Sequence, residues 1–280
     1  MHRVRRYQLD ESVFDSVTEE SAYWIGFLMA DGCVWHRNGT SYLNLHLSSV
    51  DEAHVVKFRD FLKSTHPITK MAGGAIGKYV SHENVQFTVA SRQIVSALSR
   101  YGIVPKKSLI AKVSGLERNK HFWRGVIDGD GCISFKKQEG NIPVLTLVGS
   151  FALLDQFRIF VKQLEPDYSY KIKKPNSIYR FELVGSPAIR VINFLYANSN
   201  IFLSRKQTLL TQVNSWVAKE KGRKLTPKQR EDIVVKYRLG ATIEQLSDEY
   251  GINYGSVRAL LIRRGARKGK QKHMERADAI

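Results

Sequence analysis

The sequence predicts an α+β protein made of two pseudo-symmetric αββαββα units, followed by a small all-α domain. Three observations predict it. First, WIGFLMADG (24–32) and WRGVIDGDG (123–131) are versions of one stretch, each closing on Asp-Gly and followed by Cys. Second, one shift of 99 positions carries Asp31 onto Asp130, Cys33 onto Cys132, Phe58 onto Phe157, Phe61 onto Phe160 and Lys107 onto Lys206. A fixed offset over that span marks a duplicated unit, and duplication tends to build a pseudo-two-fold axis. Third, the composition changes after Lys219: residues 218–280 hold 16 Lys or Arg against 8 Asp or Glu.

The elements follow in order. Residues 1–17 read as a polar lead-in. Thr18 before Glu19 and Glu20 has the form of a helix start, with acidic residues in the first turn. The helix carries Tyr23, Trp24, Phe27 and Leu28 to Asp31, and Gly32 ends it as a C-terminal glycine. Cys33–Trp35 starts a strand, and HRNGT is a turn holding Asn-Gly. In SYLNLHLSS, Leu43, Leu45 and Leu47 alternate with Tyr42, Asn44 and His46, the period of a half-buried strand. Residues 51–63 form an amphipathic helix with Val55 and Phe58 inward. MAGGAIGKYV forms a hairpin. Val85, Phe87 and Val89 alternate with Asn84, Gln86 and Thr88 in a further strand, and a helix spans 91–101.

The second unit repeats the order: the 123–131 helix, strands at 132–137 and 143–148 around a QEGN turn, then a helix at 151–164. Leu145 and Leu147 are placed where Leu45 and Leu47 sit. A hairpin follows, with Lys171 and Lys173 alternating against Tyr170 and Ile172, then Tyr179, Phe181 and Leu183 against Arg180 and Glu182. A helix at 187–197 precedes SRKQT. The boundaries are 18–115 and 116–217 for the repeats, 218–224 for a linker, 225–266 for the all-α domain and 267–280 for a basic, disordered tail. In that domain Thr226-Pro227 starts a helix. TIEQLSDEYG is stopped by Gly251, and INYGSVRALLIRRG follows, a helix-turn-helix pattern.

The bulk numbers narrow the partner. A formal charge of +18 over 280 residues points to a polyanion, nucleic acid first. The longest apolar run, Ala22–Ala30, is too short to span a membrane, and the N-terminus has no apolar signal segment, so an intracellular protein with no membrane partner is expected. Cys33 and Cys132 lack the spacing of a zinc site and read as small buried residues.

The chemistry gathers at the motif helices. Gly26 and Ala30, like Gly125 and Gly129, are four apart, so each helix carries a groove of small residues. Packed through those faces, the helices bring Asp31 and Asp130 together at their C-termini. Like charges and the helix dipoles oppose that arrangement, and a divalent cation resolves it. Carboxylates, helix-end carbonyls, water and phosphate are hard oxygen ligands that suit Mg2+. Ions about 4 Å apart activate water and stabilise a leaving 3′-oxygen. Lys107 and Lys206 each stand 76 residues after their Asp, a register at which a cation orients water or offsets charge on phosphate. Lys106 and Arg205 flank them as alternatives. The outward strand positions form a surface for duplex DNA: Arg37, Asn38, Tyr42, Asn44, His46, Gln86 and Thr88 in the first unit, and Lys136, Gln138, Thr146, Lys171, Lys173, Arg180 and Glu182 in the second. Asn253, Tyr254, Ser256 and Arg258 open the last helix of the helix-turn-helix and extend that surface.

With those motifs and that spacing, residues 18–217 resemble the LAGLIDADG homing endonucleases of the single-chain, two-repeat kind. The resemblance implies a saddle over double-stranded DNA with a long target site. It also implies a monomer that cuts both strands across the minor groove and leaves short 3′ overhangs. Asp31 and Asp130 match the acidic position that binds catalytic metal, with the carbonyls of Ala30 and Gly129 as further ligands. The metal expected is Mg2+, with Mn2+ or Ca2+ substituting for binding. Lys107 and Lys206 resemble the basic residue near each site. The motif's earlier acidic position is Met29 in one repeat and Asp128 in the other. The C-terminal segment resembles resolvase-like or intron-endonuclease DNA-binding appendages. The alternatives are a non-cleaving DNA-binding regulator of the same fold and an RNA maturase acting on an intron. The absence of a terminal His-Asn pair argues against an intein.

Overall fold

The computed structural model describes residues 6–76, 79–137, 140–166, 170–175, 178–217 and 225–267. Two compact units divide the chain after Val217. Predictions about Gln138, the 218–224 linker and the tail beyond Arg267 lie outside the described residues.

In the first unit, α1 (Glu19–Asp31) starts at Thr18, whose side chain accepts from the Ser21 N–H while Ser21 Oγ accepts from the Thr18 N–H. This capping box satisfies amides that the first helical turn leaves unpaired. Strands β1 (Gly32–Arg37) and β2 (Thr40–Ser48) pair antiparallel around Asn38-Gly39, both at positive φ, the conformation that Asn-Gly favours in a tight hairpin. Helix α2 (Glu52–Phe61) follows a 3-10 turn at Ser49–Asp51. Then come β3 (Thr69–Met71), a small hairpin of β4 (Gly74–Ile76) and β5 (Tyr79–Ser81), β6 (Asn84–Ala90) and α3 (Arg92–Ser99), the last capped by Ser91. The main sheet runs β1-β2-β6-β3.

The second half repeats this plan. Helix α4 (Lys120–Asp130) is capped by Asn119, β7 (Gly131–Lys136) pairs with β8 (Ile142–Gly149), and α5 (Phe151–Leu164) is capped by Ser150. Strand β9 (Tyr179–Val184) completes a sheet of order β7-β8-β9, followed by α6 (Ser186–Tyr196) and the short helices α7 (Ser204–Gln207) and α8 (Leu210–Ser215), which the sequence did not announce. The strand expected at Lys171–Lys173 is reduced to one bridge, Lys173 to Arg180. Tyr170 and Ile172 nevertheless pack against the core, as their alternation requires.

The 99-residue shift is interrupted inside each unit. Gly32 pairs with Leu45, but Gly131 pairs with Leu147, and Leu45 and Leu147 then face Phe87 and Phe181. Leu147 is thus the counterpart of Leu45, and Leu145 of Leu43, which corrects the assignment made from sequence. The reason is geometric. Two residues join β1 to β2, whereas five join β7 to β8. Only Ser150 then joins β8 to α5, where the 3-10 turn Ser49–Asp51 joins β2 to α2, and the shift is restored at Phe58 and Phe157.

One apolar core runs through both repeats, with Trp24, Phe27, Phe58 and Phe87 on one side and Phe122, Trp123, Phe157 and Phe181 on the other. The lead-in joins it: Phe14 is fully buried, and Asp10 N–H donates to the Leu62 carbonyl. Among the described residues, no helix is long and apolar enough to cross a membrane.

The second unit holds α9 (Pro227–Arg238), α10 (Ile243–Tyr250) and α11 (Tyr254–Arg263) around Ile233, Leu246, Val257 and Leu261. Capping boxes at Thr226 and Thr242 start the first two helices. Gly251, left-handed at φ 61, ends α10, and Asn253 caps α11.

Candidate active site

The site is positioned by the crossing of α1 and α4, which pack on one another more extensively than any other pair of elements. A Cβ on Gly26 would stand 2.0 Å from the Phe122 carbonyl oxygen, and one on Gly125 would stand 2.1 Å from that of Tyr23. The backbones therefore touch, and only glycine fits at either point. Farther along, a Cβ on Gly129 would stand 2.3 Å from Ala30 Cβ and 3.0 Å from Asp31 Oδ2. The predicted small-residue faces are the contact, and the Asp31 carboxylate lies against the last turn of α4. Each helix passes directly into a strand. Gly32 (φ −75) and Gly131 (φ −84) are extended, not left-handed as a glycine C-cap would be. They are glycines because a Cβ would stand 2.6 Å from the Leu28 oxygen and 2.5 Å from the Ile127 oxygen.

Burial, more than mutual repulsion, governs the two carboxylates. It pushes Asp31 up from the usual carboxylate range, against the pull of Lys206, Lys107 and Arg205. It pushes Asp130 up to about 6, with the charge of Asp31 adding to the rise. Lys107 and Lys206 are both buried, so neither is a solvated surface lysine. The Lys107 ammonium donates to the Gly32 carbonyl at 2.5 Å, and that of Lys206 donates to the carbonyls of Ile127 (2.5 Å), Asp128 (2.7 Å) and Gly131 (2.6 Å). Burial lowers both lysines, Lys206 to about 8, while Asp130 holds Lys107 up and Asp128 and Asp31 hold Lys206 up. Each lysine is thus anchored to its own repeat and also feels the carboxylate of the other. The flanking alternatives point elsewhere: Lys106 is exposed, and Arg205 is tied to both oxygens of Asp51 at 3.1 Å.

A buried polar network, missed in the sequence, backs the second helix. The Asp128 carboxylate is fully buried and accepts from the Tyr23 hydroxyl at 2.8 Å, the Leu203 N–H at 2.7 Å and the Tyr196 hydroxyl. Beside it, the fully buried Arg124 donates to the carbonyls of Ile201 and Leu195 and to Glu19 Oε1 across the repeat boundary. A charged residue inside an apolar helix face was the available signal.

The outer face of the first sheet gathers the residues expected there. Cys33 and Thr88 flank Asn44, Gln86 faces His46, and Arg37 lies two positions beyond Trp35 on the same face. Thr88 donates to Asn44 Oδ1, Gln86 Nε2 donates to Thr88, and His46 is hydrogen-bonded to Asn84. Trp35 and Tyr42 stack with ring centres 5.2 Å apart. On the second sheet Cys132, Thr146 and Glu182 lie in one row, and Lys136 pairs with Glu182 at 3.7 Å. Lys171, Lys173 and Arg180 are exposed, but Thr146 is buried between its neighbours and presents no free surface. Cys33 and Cys132 depart from expectation in the opposite sense: both are exposed, because the strand alternation that buries Val34 and Ile133 turns them outward. In the second unit Tyr254 and Ser256 are exposed, Arg258 is half-buried, and Asn253 accepts from the Ser256 N–H as the helix cap.

No family model and no curated protein matches the chain. Solved structures do. The homing endonuclease I-WcaI, bound to its DNA recognition sequence, matches with a TM-score of 0.50 at 12% identity, covering 71% of this chain and 91% of that one. A mutant of the meganuclease I-SmaMI matches with a TM-score of 0.50 at 12% identity, covering 90% of this chain and 100% of that one. The fold is that of these two endonucleases.

Proposed function

We propose that this protein is a site-specific endonuclease that hydrolyses both strands of duplex DNA. The observation that carries this reading is the glycine crossing, which sets two half-buried carboxylates together at one end of α1 and α4 and places a buried lysine beside each. The net charge of +18 supports a polyanionic substrate. So do the polar outer sheet faces.

The donor set fits a hard divalent cation. Two carboxylates held up by burial gain from a cation that restores their charge, and among the described residues no cluster of three or more His, Cys, Asp or Glu offers another site. Asp31 and Asp130, with the carbonyls of Ala30 and Gly129, would hold Mg2+. When bound, Mg2+ supplies an activated water and charge stabilisation for phosphodiester hydrolysis. Lys107 and Lys206 place positive charge where the phosphate gains negative charge. The exposed residues of the two outer faces, Arg37, Lys171, Lys173 and Arg180 among them, bind the duplex so that its minor groove lies over the carboxylates, giving short 3′ overhangs. The three-helix unit adds a second DNA contact through Tyr254, Ser256 and Arg258, in the manner of a helix-turn-helix.

Cleavage of a randomised DNA library tests this reading. Wild type with Mg2+ is expected to enrich and cut one long site, while Asp31→Asn and Asp130→Asn bind that site without double-strand cutting. Full cutting by either variant, or cutting by wild type in EDTA, would overturn the assignment.

A further inference from the structure

Asp128 and Met29 are counterparts under the 99-residue shift, yet one is a carboxylate and the other a thioether. The Asp128 side chain has two tyrosine hydroxyls and the Leu203 N–H as donors, and its own carbonyl accepts the Lys206 ammonium at 2.7 Å. One residue therefore holds the turn leading into α7 at Leu203 and the lysine three positions on. Leu203 N-caps α7 without a side-chain bond of its own. Its amide is buried, so the carboxylate is the partner that makes its position affordable.

Among the described residues, the first repeat has no such clasp. Met29 is buried and apolar, and its terminal methyl lies against Gly102. Lys107 donates to one carbonyl, that of Gly32, where Lys206 donates to three. It begins a 3-10 turn preceded by Lys106 in the left-handed region, at φ 58. The two lysines are matched in sequence but unequal in how firmly they are held.

We propose that Asp128 is a positioning residue that fixes Lys206 through Leu203 and the α4 end, and that the two halves of the site consequently cut their strands at unequal rates, the Lys206 half faster. Tyr23 and Tyr196 belong to the same device, since they orient the carboxylate. The rate claim rests on the endonuclease reading above, while the positioning claim concerns this chain alone.

The experiment uses the full-length protein and a duplex labelled separately on each strand. Lys206→Met first identifies the strand that Lys206 serves. Asp128→Asn and the milder Tyr196→Phe, which leaves the carboxylate two donors, are then compared with wild type. Cleavage of the Lys206 strand is expected to fall about 10- to 100-fold while the other changes by no more than about twofold, so nicked product accumulates. General loss of folded protein would slow both strands alike, and that result, or no change in either variant, overturns the proposal. Amide exchange of the DNA-free, metal-free protein gives the second readout. Faster exchange at Leu203 in both variants is expected, with no change at Val104, its counterpart in the first repeat under the 99-residue shift; unchanged exchange at Leu203 overturns the positioning role. If wild type cuts neither strand, the endonuclease reading fails, and the exchange result still decides for or against Asp128.

Discussion

The ends of α1 and α4 share a backbone and differ in their supports. Both cross through glycine, both carry a carboxylate as the last helical residue, and both run straight into a strand through an extended glycine. Behind Asp130 lie Asp128, two tyrosine hydroxyls and a lysine bound to three carbonyls. Behind Asp31 lie Met29 and a lysine bound to one. Steric closeness admits only glycine at the crossing and keeps the two helices alike. The polar groups one layer deeper can change on one side, provided that each buried group there keeps its partners.

The largest expected effect breaks what the two ends share. Gly26→Ala and Gly125→Ala each drive a methyl into a carbonyl that cannot move without separating the helices, so each is expected to cost about 3 kcal/mol or more in urea unfolding. Wild-type stability in either variant would place the helices farther apart than described.

The next comparison sharpens the difference. Lys206→Met takes the ammonium away from three carbonyls, of which that of Ile127 keeps the Gly131 N–H, and Lys107→Met takes it from one, so the former is expected to be less stable by about 1–3 kcal/mol. Equal losses in thermal unfolding would make the two anchors equivalent.

The smallest effect is a pH dependence. The Asp130 carboxyl titrates near 6 in the folded protein, above its usual 3.8, so the folded state holds this proton more tightly than the unfolded state does. In the cation-free protein, stability from this group is present at low pH and is lost as pH rises from 3.8 through about 6. Asp130→Asn is expected to flatten that part of the Tm-against-pH curve. A curve unchanged by Asp130→Asn would remove Asp130 as its source.

Much of this was legible in the sequence, for identifiable reasons. Two Asp-Gly motifs at a fixed shift, with small residues four apart, contained the helix crossing, because close approach leaves a compositional trace. Strand alternation indicated which residues of β2 and β6 face outward. The three-residue change of register did not show, because the longer β7–β8 connection and the shorter β8–α5 connection cancel before Phe157. Cys33 and Cys132 were misjudged because residue type was weighed above strand parity, and Thr146 because parity says nothing of neighbours that cover a central strand. The three bonds to Asp128 join residues 75, 68 and 105 positions away, beyond the reach of any local pattern.

The outward turn of the two thiols has a practical corollary. They are the only cysteines in the chain, they are exposed, and they occupy corresponding places just past the two carboxylates. Nitroxide groups attached there would form a matched pair without any engineered mutation, and the spacing between the spins would serve as a ruler across the junction of the repeats.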